Sequence, residues 1–429
     1  MSITSLLQDQ NPWWRGSSPA LPPARRDLHA TLKARLAMTD RRGTVLLGPR
    51  QVGKTTLLLQ VAEDLVREGW PASRVTYFDF SDDRCPPHFS VRDLAAAVDG
   101  GTQPAADVPR IFLIDEAEYS SGWERFVKQS VDRRRDRWLV TTSAAAHLRD
   151  AGRESGVGRW DEIRMEGLTY GEFLRILDPH EVPEIRHRRD PLPLTRFLAN
   201  GGFPEHVASE PVVARQRLRQ YVGDRAILRD LLRTGVDVLR VQRLFVYLAQ
   251  QSGGIVDVAK LATALEADAR SVREWLARLR ETQLIVPLRR HARAAAATLR
   301  DKEKVFAADH GLVRAFANDP AHPDTLARVF EATVFRHLRE LGAECAYYRD
   351  RDDLEADFIV SVGAKSSVVE VTADSAPSGR KLARAREVRG AIGAARAIIV
   401  CSSAVATREG SVELLPIAEF LLAPKKVLP

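Results

Sequence analysis

The stretch "LLGPRQVGKTTLL", residues 46–58, runs from an apolar segment through a glycine-flanked turn into a segment with helical spacing. "TVLL" (44–47) is short, apolar and β-branched, which predicts a buried strand. "TTLLLQVAEDLVREG" (55–69) keeps its apolar residues on one helical face and stops at Gly69, which predicts a helix. Between them stands Gly48-x4-Gly53-Lys54-Thr55, in the strand, loop, helix setting that a phosphate-binding loop requires. Glycines let consecutive backbone N–H groups face inward as an anion nest, and the helix N-terminus adds positive partial charge. The candidate nucleotide-binding residues are therefore Gly48, Pro49, Arg50, Gln51, Val52, Gly53, Lys54, Thr55 and Thr56. Lys54 is expected to reach the β- and γ-phosphates, and the Thr55 hydroxyl to ligate magnesium.

Further along, "RIFLIDEAEY" (110–119) is an apolar strand that ends in two acids. Asp115 at the strand tip is expected to hold magnesium through water, and Glu116 to polarise the attacking water as the catalytic base. "RVTYFDF" (74–80) reads as a further strand, placed by this reading between the loop strand and the acid strand. A GTPase needs an Asn-Lys-x-Asp base reader, which is missing, and a small-molecule kinase has no need of Glu116, so ATP is the expected nucleotide. A fourth strand, "RWLVTTS" (137–143), ends in hydroxyls, and Thr142 or Ser143 is a candidate γ-phosphate sensor. Arg159, in "GVGRWDEIRM", is a candidate phosphate contact, either to its own nucleotide or across a subunit contact in a homo-oligomer.

The 429 residues exceed what one core needs and predict several domains. With 28% charged and 45% hydrophobic residues the composition is that of a globular protein, and the net charge of +7 suits an anionic partner such as nucleic acid. An arginine-rich genome would give the same charge. Cys85, Cys345 and Cys401 lie too far apart for a disulfide framework or a zinc knuckle. No apolar stretch approaches the roughly 20 residues that cross a bilayer. The start, "MSITSLLQDQNPWWRG", lacks a basic n-region with a long apolar follow-on, so a cytoplasmic location away from membranes is expected.

"GPRQVGKTTLL", "FLIDEAEY", the "TTS" strand end, "GR" before "EIRMEGLTYGEFL", "FLANGGFPEHV" and "YVGDRAILRDL" together resemble a family of prokaryotic AAA-type ATPases. Its members carry a winged helix and a C-terminal domain of unknown function related to PD-(D/E)XK nucleases. The resemblance runs from about residue 40 to the end. Thr142 departs from it where glycine is usual, and Gly167 where proline is common; neither touches the phosphate chemistry directly.

The middle of the chain also reads on its own as a winged helix. "VQRLFVYLAQQSG", "DVAKLATALEAD" and "RSVREWLARLRET" are amphipathic, and "QLIVPLRRHAR" with "KVFAAD" is expected to pair as a wing. In the third helix Val272, Leu276 and Leu279 are expected to pack, while Arg270, Arg273 and Arg280 share another face and are candidate DNA contacts. A lid or protein-partner role suits the same element. In the C-terminal part, Glu331 near the start of a helix (330–340), Asp357 on a strand (354–360) and Glu370 on a strand (366–374) follow the helix, strand, strand order in which a PD-(D/E)XK nuclease gathers metal ligands. The lysine expected two residues after Glu370 is Thr372, which predicts little or no cleavage of DNA. Lys381 and Lys365 are the alternative lysines, with a solvated Lys381 at a helix start as the expectation.

The fold class expected is thus α/β: a P-loop ATPase domain with a parallel sheet, a helical and winged-helix middle region, and a C-terminal α/β nuclease-like domain. The expected limits are 1–24 for an N-terminal extension, 25–180 for the ATPase, 181–298 for the lid and winged helix, and 299–429 for the nuclease-like domain. The function expected is a magnesium-dependent ATPase working with a nucleic acid or protein partner. Its alternatives are a slow ATP switch and an ATP-controlled metal-dependent nuclease.

Overall fold

The computed structural model describes residues 2–38, 40, 42–99, 109–133, 136–142, 160–222, 236–291, 302–403 and 405–429. They form an α/β fold in two compact units, Met1–Glu166 and Gly167–Pro429.

The first unit is built on five parallel strands, β1 (Gly43–Leu47), β2 (Val75–Asp79), β3 (Ile111–Asp115), β4 (Arg137–Thr142) and β5 (Trp160–Arg164), in the order β2-β3-β4-β1-β5. β1 and β3 are buried at every position, as strands covered on both faces are. The helix Lys54–Arg67 buries Leu57, Leu58, Val61 and Leu65, each such side chain contributing about 1.5–3 kcal/mol. The opposite layer takes Val91, Leu94 and Val98 from Val91–Asp99 and Trp123, Val127 and Val131 from Trp123–Arg133, against Phe112 and Trp138. Those two rings stack with centroids 4.3 Å apart. The strand between the loop strand β1 and the acid strand β3 is β4; "RVTYFDF" lies at the edge as β2, which corrects the sequence reading. Chain order does not give sheet order, because each helical crossover is free to carry the next strand past its neighbour.

Residues 3–15 close the β2 edge. The helix Ile3–Gln10 buries Leu6 and Leu7, and the turn Pro12–Arg15 buries Trp13. Asn11 donates to Tyr77 O (2.9 Å) and accepts from Tyr77 N (2.7 Å), the Trp13 and Trp14 indoles donate to Val75 O (2.9 Å each), and Gln10 accepts from Asp79 N (3.0 Å).

The second unit starts with helices that include Tyr170–Leu177, Leu192–Asn200 and Pro211–Gln220. The first is fixed by a capping box in which Thr169 Oγ1 accepts from Glu172 N and Glu172 Oε2 from Thr169 N. The turn after Leu192–Asn200 presses glycines around the Asp309 carboxylate, which accepts from Gly202 N (2.9 Å) and Gly311 N (2.8 Å). A Cβ on Gly201 would stand 2.2 Å from Asp309 Oδ1, so only glycine fits. Helices Val238–Gln250, Val258–Ala264 and Ala269–Glu281 then accompany β6 (Gly254–Ile255), β7 (Ile285–Leu288) and β8 (Lys304–Ala307), an antiparallel sheet in the order β6-β8-β7.

Six strands follow: β9 (Glu344–Arg349), β10 (Glu355–Val362), β11 (Lys365–Val371), β12 (Arg396–Cys401), β13 (Thr407–Glu409) and β14 (Val412–Pro416), ordered β13-β14-β12-β11-β10-β9. The β11/β12 and β12/β14 pairs are parallel and the others antiparallel. Helix Gly379–Ile392 covers one face with Leu382, Ala385 and Val388. Helix Pro323–Arg339 packs Phe335 on Phe358, ring centroids 5.7 Å apart. It starts earlier than expected, with His322 as N-cap and Pro323 in the first turn, so Glu331 sits in mid-helix. Tyr347 of β9 joins the smaller sheet, its N–H donating to Arg289 O and its carbonyl accepting from His291 N.

Candidate active site

β1 runs out into Gly48, where a Cβ would lie 2.2 Å from Met165 O, so the loop leaves the strand at a point only glycine can occupy. Gln51 (φ 64°) and Gly53 (φ 97°) then turn the backbone left-handed and start the helix at Lys54. Val52 is fully buried, and its carbonyl accepts from Arg26 Nη1 at 2.8 Å while Arg26 Nη2 donates to Glu166 O at 2.8 Å. Arg26 thus braces the loop, a role the sequence reading missed.

Lys54 is 5% exposed, and its ammonium donates to Gly48 O (2.7 Å) and Pro49 O (3.1 Å). Burial lowers its pKa, against the opposing pull of Glu116, Glu118 and Asp115. Thr55 Oγ1 donates to Asp115 Oδ2 at 2.5 Å; the neighbouring Thr56 is half-buried.

At the end of β3, Asp115 collects three hydroxyls. Thr55 and Tyr77 (3.1 Å) donate to Oδ2 and Thr141 to Oδ1. Glu116 has a left-handed backbone (φ 49°), and its N–H donates to Thr141 Oγ1 at 3.0 Å. Its Oε2 lies 3.0 Å from Arg50 Nη1, and Glu118 Oε1 lies 3.9 Å from Arg50 Nη2. Burial first, then Glu118, pushes the Glu116 carboxyl up to about 8, with Lys54 and Arg50 acting the other way. Thr141, which binds both acids of the pair, was not singled out from the sequence. Strand alternation gives Thr141 and Thr142 to opposite faces, and it is Thr141 that meets β3. Thr142 is buried, whereas Ser143 and Arg159 lie outside the described residues.

Hard oxygen donors on Thr55 and Asp115, held 2.5 Å apart beside a lysine amine, suit magnesium with a phosphate. Elsewhere, among the described residues, no three His, Cys, Asp or Glu side chains are grouped as metal ligands. The C-terminal acids instead hold lysines. Lys381 Nζ lies 3.6 Å from Asp357 Oδ2 and 3.4 Å from Glu370 Oε2, and it also donates to Val371 O. Its expected solvation is corrected: the helix Gly379–Ile392 lies on the sheet and turns Lys381 inward. Lys304 of β8, 5% exposed, lies 2.8 Å from Glu355 Oε1 and 3.7 Å from Glu331 Oε1. Burial and Asp357 push Glu331 up to about 8; burial raises Asp357 too, but Lys381 and Lys304 outweigh it and leave Asp357 below its usual range. Thr372 Oγ1 is tied to Asp374, and Lys365 is exposed at the start of β11.

On the helix Ala269–Glu281, Val272, Leu276 and Leu279 are buried, and Arg270 and Arg273 are exposed. Arg280 departs from the sequence reading, because its guanidinium pairs with Glu303 at 2.5 Å. Among the described residues no helix is long and apolar enough to cross a membrane.

Residues 193–322 and 327–420 match family models described only as domains of unknown function, DUF8612 and DUF4143. An uncharacterized protein of Haemophilus influenzae is 25% identical over 338 residues, 76% of this chain and 81% of the relative. One of Mycobacterium tuberculosis is 25% identical over 370 residues, 82% and 75% of the two chains. Among solved structures, AMPPCP-bound DnaA from Aquifex aeolicus is similar at 14% identity and a TM-score of 0.28, covering 60% of this chain and 87% of that one. The S. cerevisiae Hsp104:casein complex is similar at 15% identity and a TM-score of 0.32, covering 64% and 52%. Residues 40–174, which hold the loop, the Asp115–Glu116 strand end and Thr141, match the family model of the AAA domain.

Proposed function

We propose that this protein is a magnesium-dependent AAA-type ATPase that hydrolyses ATP. The observation that carries the reading is the convergence of Thr55, Asp115 and Thr141 beside Glu116, at the end of the strand that faces the loop helix. The loop N–H groups and Lys54 bind the phosphates. Thr55 and Asp115 are the residues that hold magnesium, which when bound draws charge from the phosphate oxygens. Glu116 takes the proton of the attacking water, and Thr141 keeps both acids in register. Burial and Glu118 raise the Glu116 carboxyl, while Lys54 and Arg50 favour its charged, proton-accepting form. Ser143 as γ-phosphate sensor and Arg159 as a phosphate contact, in its own subunit or from a neighbour, complete the proposed site. The domain limits proposed with it are 1–24, 25–180, 181–298 and 299–429.

The exposed Arg270 and Arg273 support a winged-helix region that meets DNA or a protein partner. A slow ATP switch with little turnover is the alternative for the same site. The discriminating experiment is ATP turnover by the purified protein, alone and with single- or double-stranded DNA. Stimulated turnover supports a nucleic-acid-coupled ATPase, and tight ATP retention with near-zero turnover supports the switch. Lys54→Ala is the control. ATP at about a hundred times its Kd stabilises the wild type by about 2.7 kcal/mol, and the variant should lose that rise in melting temperature. An equal rise in the variant refutes the loop assignment.

A second reading, a metal-dependent nuclease in the C-terminal region, is favoured by one observation: Lys381 stands between Asp357 and Glu370, where an ammonium group would orient a water.

A further inference from the structure

Arg50 is the third residue of the loop, on the turn whose N–H groups face a phosphate in the proposed site, yet its guanidinium is directed at the strand end. Nη1 lies 3.0 Å from Glu116 Oε2 and Nη2 3.9 Å from Glu118 Oε1, with the Arg50 and Glu116 side chains each 14% exposed. Both ends of the pair are anchored by left-handed backbone, at Gln51 next to Arg50 and at Glu116 itself. Such conformations cost about 1–3 kcal/mol each in a non-glycine residue and persist where the surroundings impose them, so the approach of the two side chains is built into the backbone. Among the described residues the other charged groups around Glu116 are Lys54, Asp115 and Glu118, and Thr141 binds its N–H.

The two loop cations are thus differently engaged. Lys54 donates to neutral carbonyl oxygens, Gly48 O and Pro49 O, and can leave them without stranding a charge. Arg50 is committed to carboxylates. A guanidinium carries five donors in a planar fork that matches phosphate as well as carboxylate, and a phosphate brings more charge than Glu116 does. Glu116 Oε2 is buried and accepts no hydrogen bond among the described residues, so the 3.0 Å ion pair with Arg50 is what draws that oxygen to the loop and away from a water.

We propose that Arg50 is a positioning residue shared between two anions: it holds Glu116 until a phosphate occupies the loop, then transfers to the phosphate and leaves Glu116 free to meet the attacking water. ATP arrival and release of the base become one event. The inference rests on Glu116 being the base and the loop being the ATP site.

The test is a double-mutant cycle in affinity for a non-hydrolysable ATP analogue with magnesium, measured by calorimetry on the full chain for wild type, Arg50→Ala, Glu116→Gln and the double variant. Removing the Glu116 charge releases the guanidinium, so Glu116→Gln should tighten binding about tenfold when Arg50 is present and less than about threefold when it is replaced. Simple removal of a nearby negative charge would tighten binding equally in both backgrounds, and that result overturns the proposal. A merely structural Arg50 gives no coupling of this sign. If Arg50→Ala lowers the melting temperature by more than about 5 °C, Arg50→Met, which keeps the buried stem, replaces it in the cycle. Binding that is normal and Lys54-dependent but additive refutes the shared arginine alone. Binding that Lys54→Ala leaves untouched refutes the ATP site, and the shared arginine with it.

Discussion

The loop site and the C-terminal acid cluster use the same ingredients, carboxylates with two basic side chains, and arrange them to opposite ends. At the loop, Lys54 and Arg50 project from a turn and a helix start, and Lys54 rests on backbone carbonyls. In the C-terminal cluster, Lys304 comes from the middle strand of a sheet and Lys381 from a helix laid across another, and both ammonium groups are locked onto acids. Burial first lowers the pKa of each of these two lysines, but the acids around them reverse the sign and raise it. At Lys54 burial wins and the shift is downward. The difference teaches which lysines have partners to exchange: Lys54, held by neutral oxygens, is available to an incoming anion, whereas Lys304 and Lys381, held by carboxylates, are part of the fold.

The largest effect that would break this contrast lies at Glu116. Glu116→Gln keeps size and hydrogen bonding but accepts no proton, so steady-state turnover should fall about 10²- to 10⁴-fold while ATP stays bound. Unchanged turnover would mean that the loop acids are as structural as the C-terminal ones. Next comes Lys381→Met. Removing one partner from a buried ion cluster should cost about 3–5 kcal/mol, read as a drop in the urea midpoint of the second unit. A loss below about 1 kcal/mol would make Lys381 an exchangeable cation like those at the loop. The same preparation tests the nuclease reading. Plasmid cleavage with Mg²⁺ or Mn²⁺ by wild type is expected to be weak or absent, and robust cutting lost in both Asp357→Ala and Lys381→Met would overturn that expectation.

The smallest effect sharpens the comparison through pH. His337 is fully buried, its Nε2 accepts from Tyr170 N at 3.1 Å, and burial, aided by Arg336, lowers it to about 3. The folded value lies below the unfolded 6.5, so the unfolded chain binds the extra proton between them. Stability from this residue is therefore full above about 6.5 and is lost as pH falls towards 3. From pH 6.5 to 5 the loss is about 2 kcal/mol. His337→Gln retains an acceptor for Tyr170 and should show that much less acid sensitivity in urea unfolding; an identical slope would place the sensitivity in the neighbouring buried His310 or His206.

The phosphate loop was legible because its chemistry constrains residue type over a few consecutive positions, and the end of β3 because two acids after an apolar run are unusual. What escaped depends on register and crossover. Thr141, not Thr142, faces Asp115 only because β4 lies beside β3, and that adjacency is set by a helix path the sequence does not spell out. The inward turn of Lys381 is hidden in the sequence because helix spacing alone does not say which face meets the sheet. Arg26 carries no local signal, being an arginine before a helix in an arginine-rich chain. The early helix start at Pro323 did carry one, a proline in a first turn followed by an acid, and was passed over.

The side chains of residues 10–14 do to β2 what another strand would do. An open parallel edge is a template that recruits any extended chain, including a second copy or a segment still being synthesised, and natural sheets blunt it with charge, proline or cover. Here the cover is made of two carboxamides and two indoles, which satisfy the edge groups without offering a new edge of their own. The stretch that matches the AAA domain begins at residue 40, so the cover stands outside it. A chain trimmed to that stretch would keep its nucleotide loop and lose its stopper, and its failure in solution would be fibrous or dimeric association along β2 while the loop chemistry remained intact.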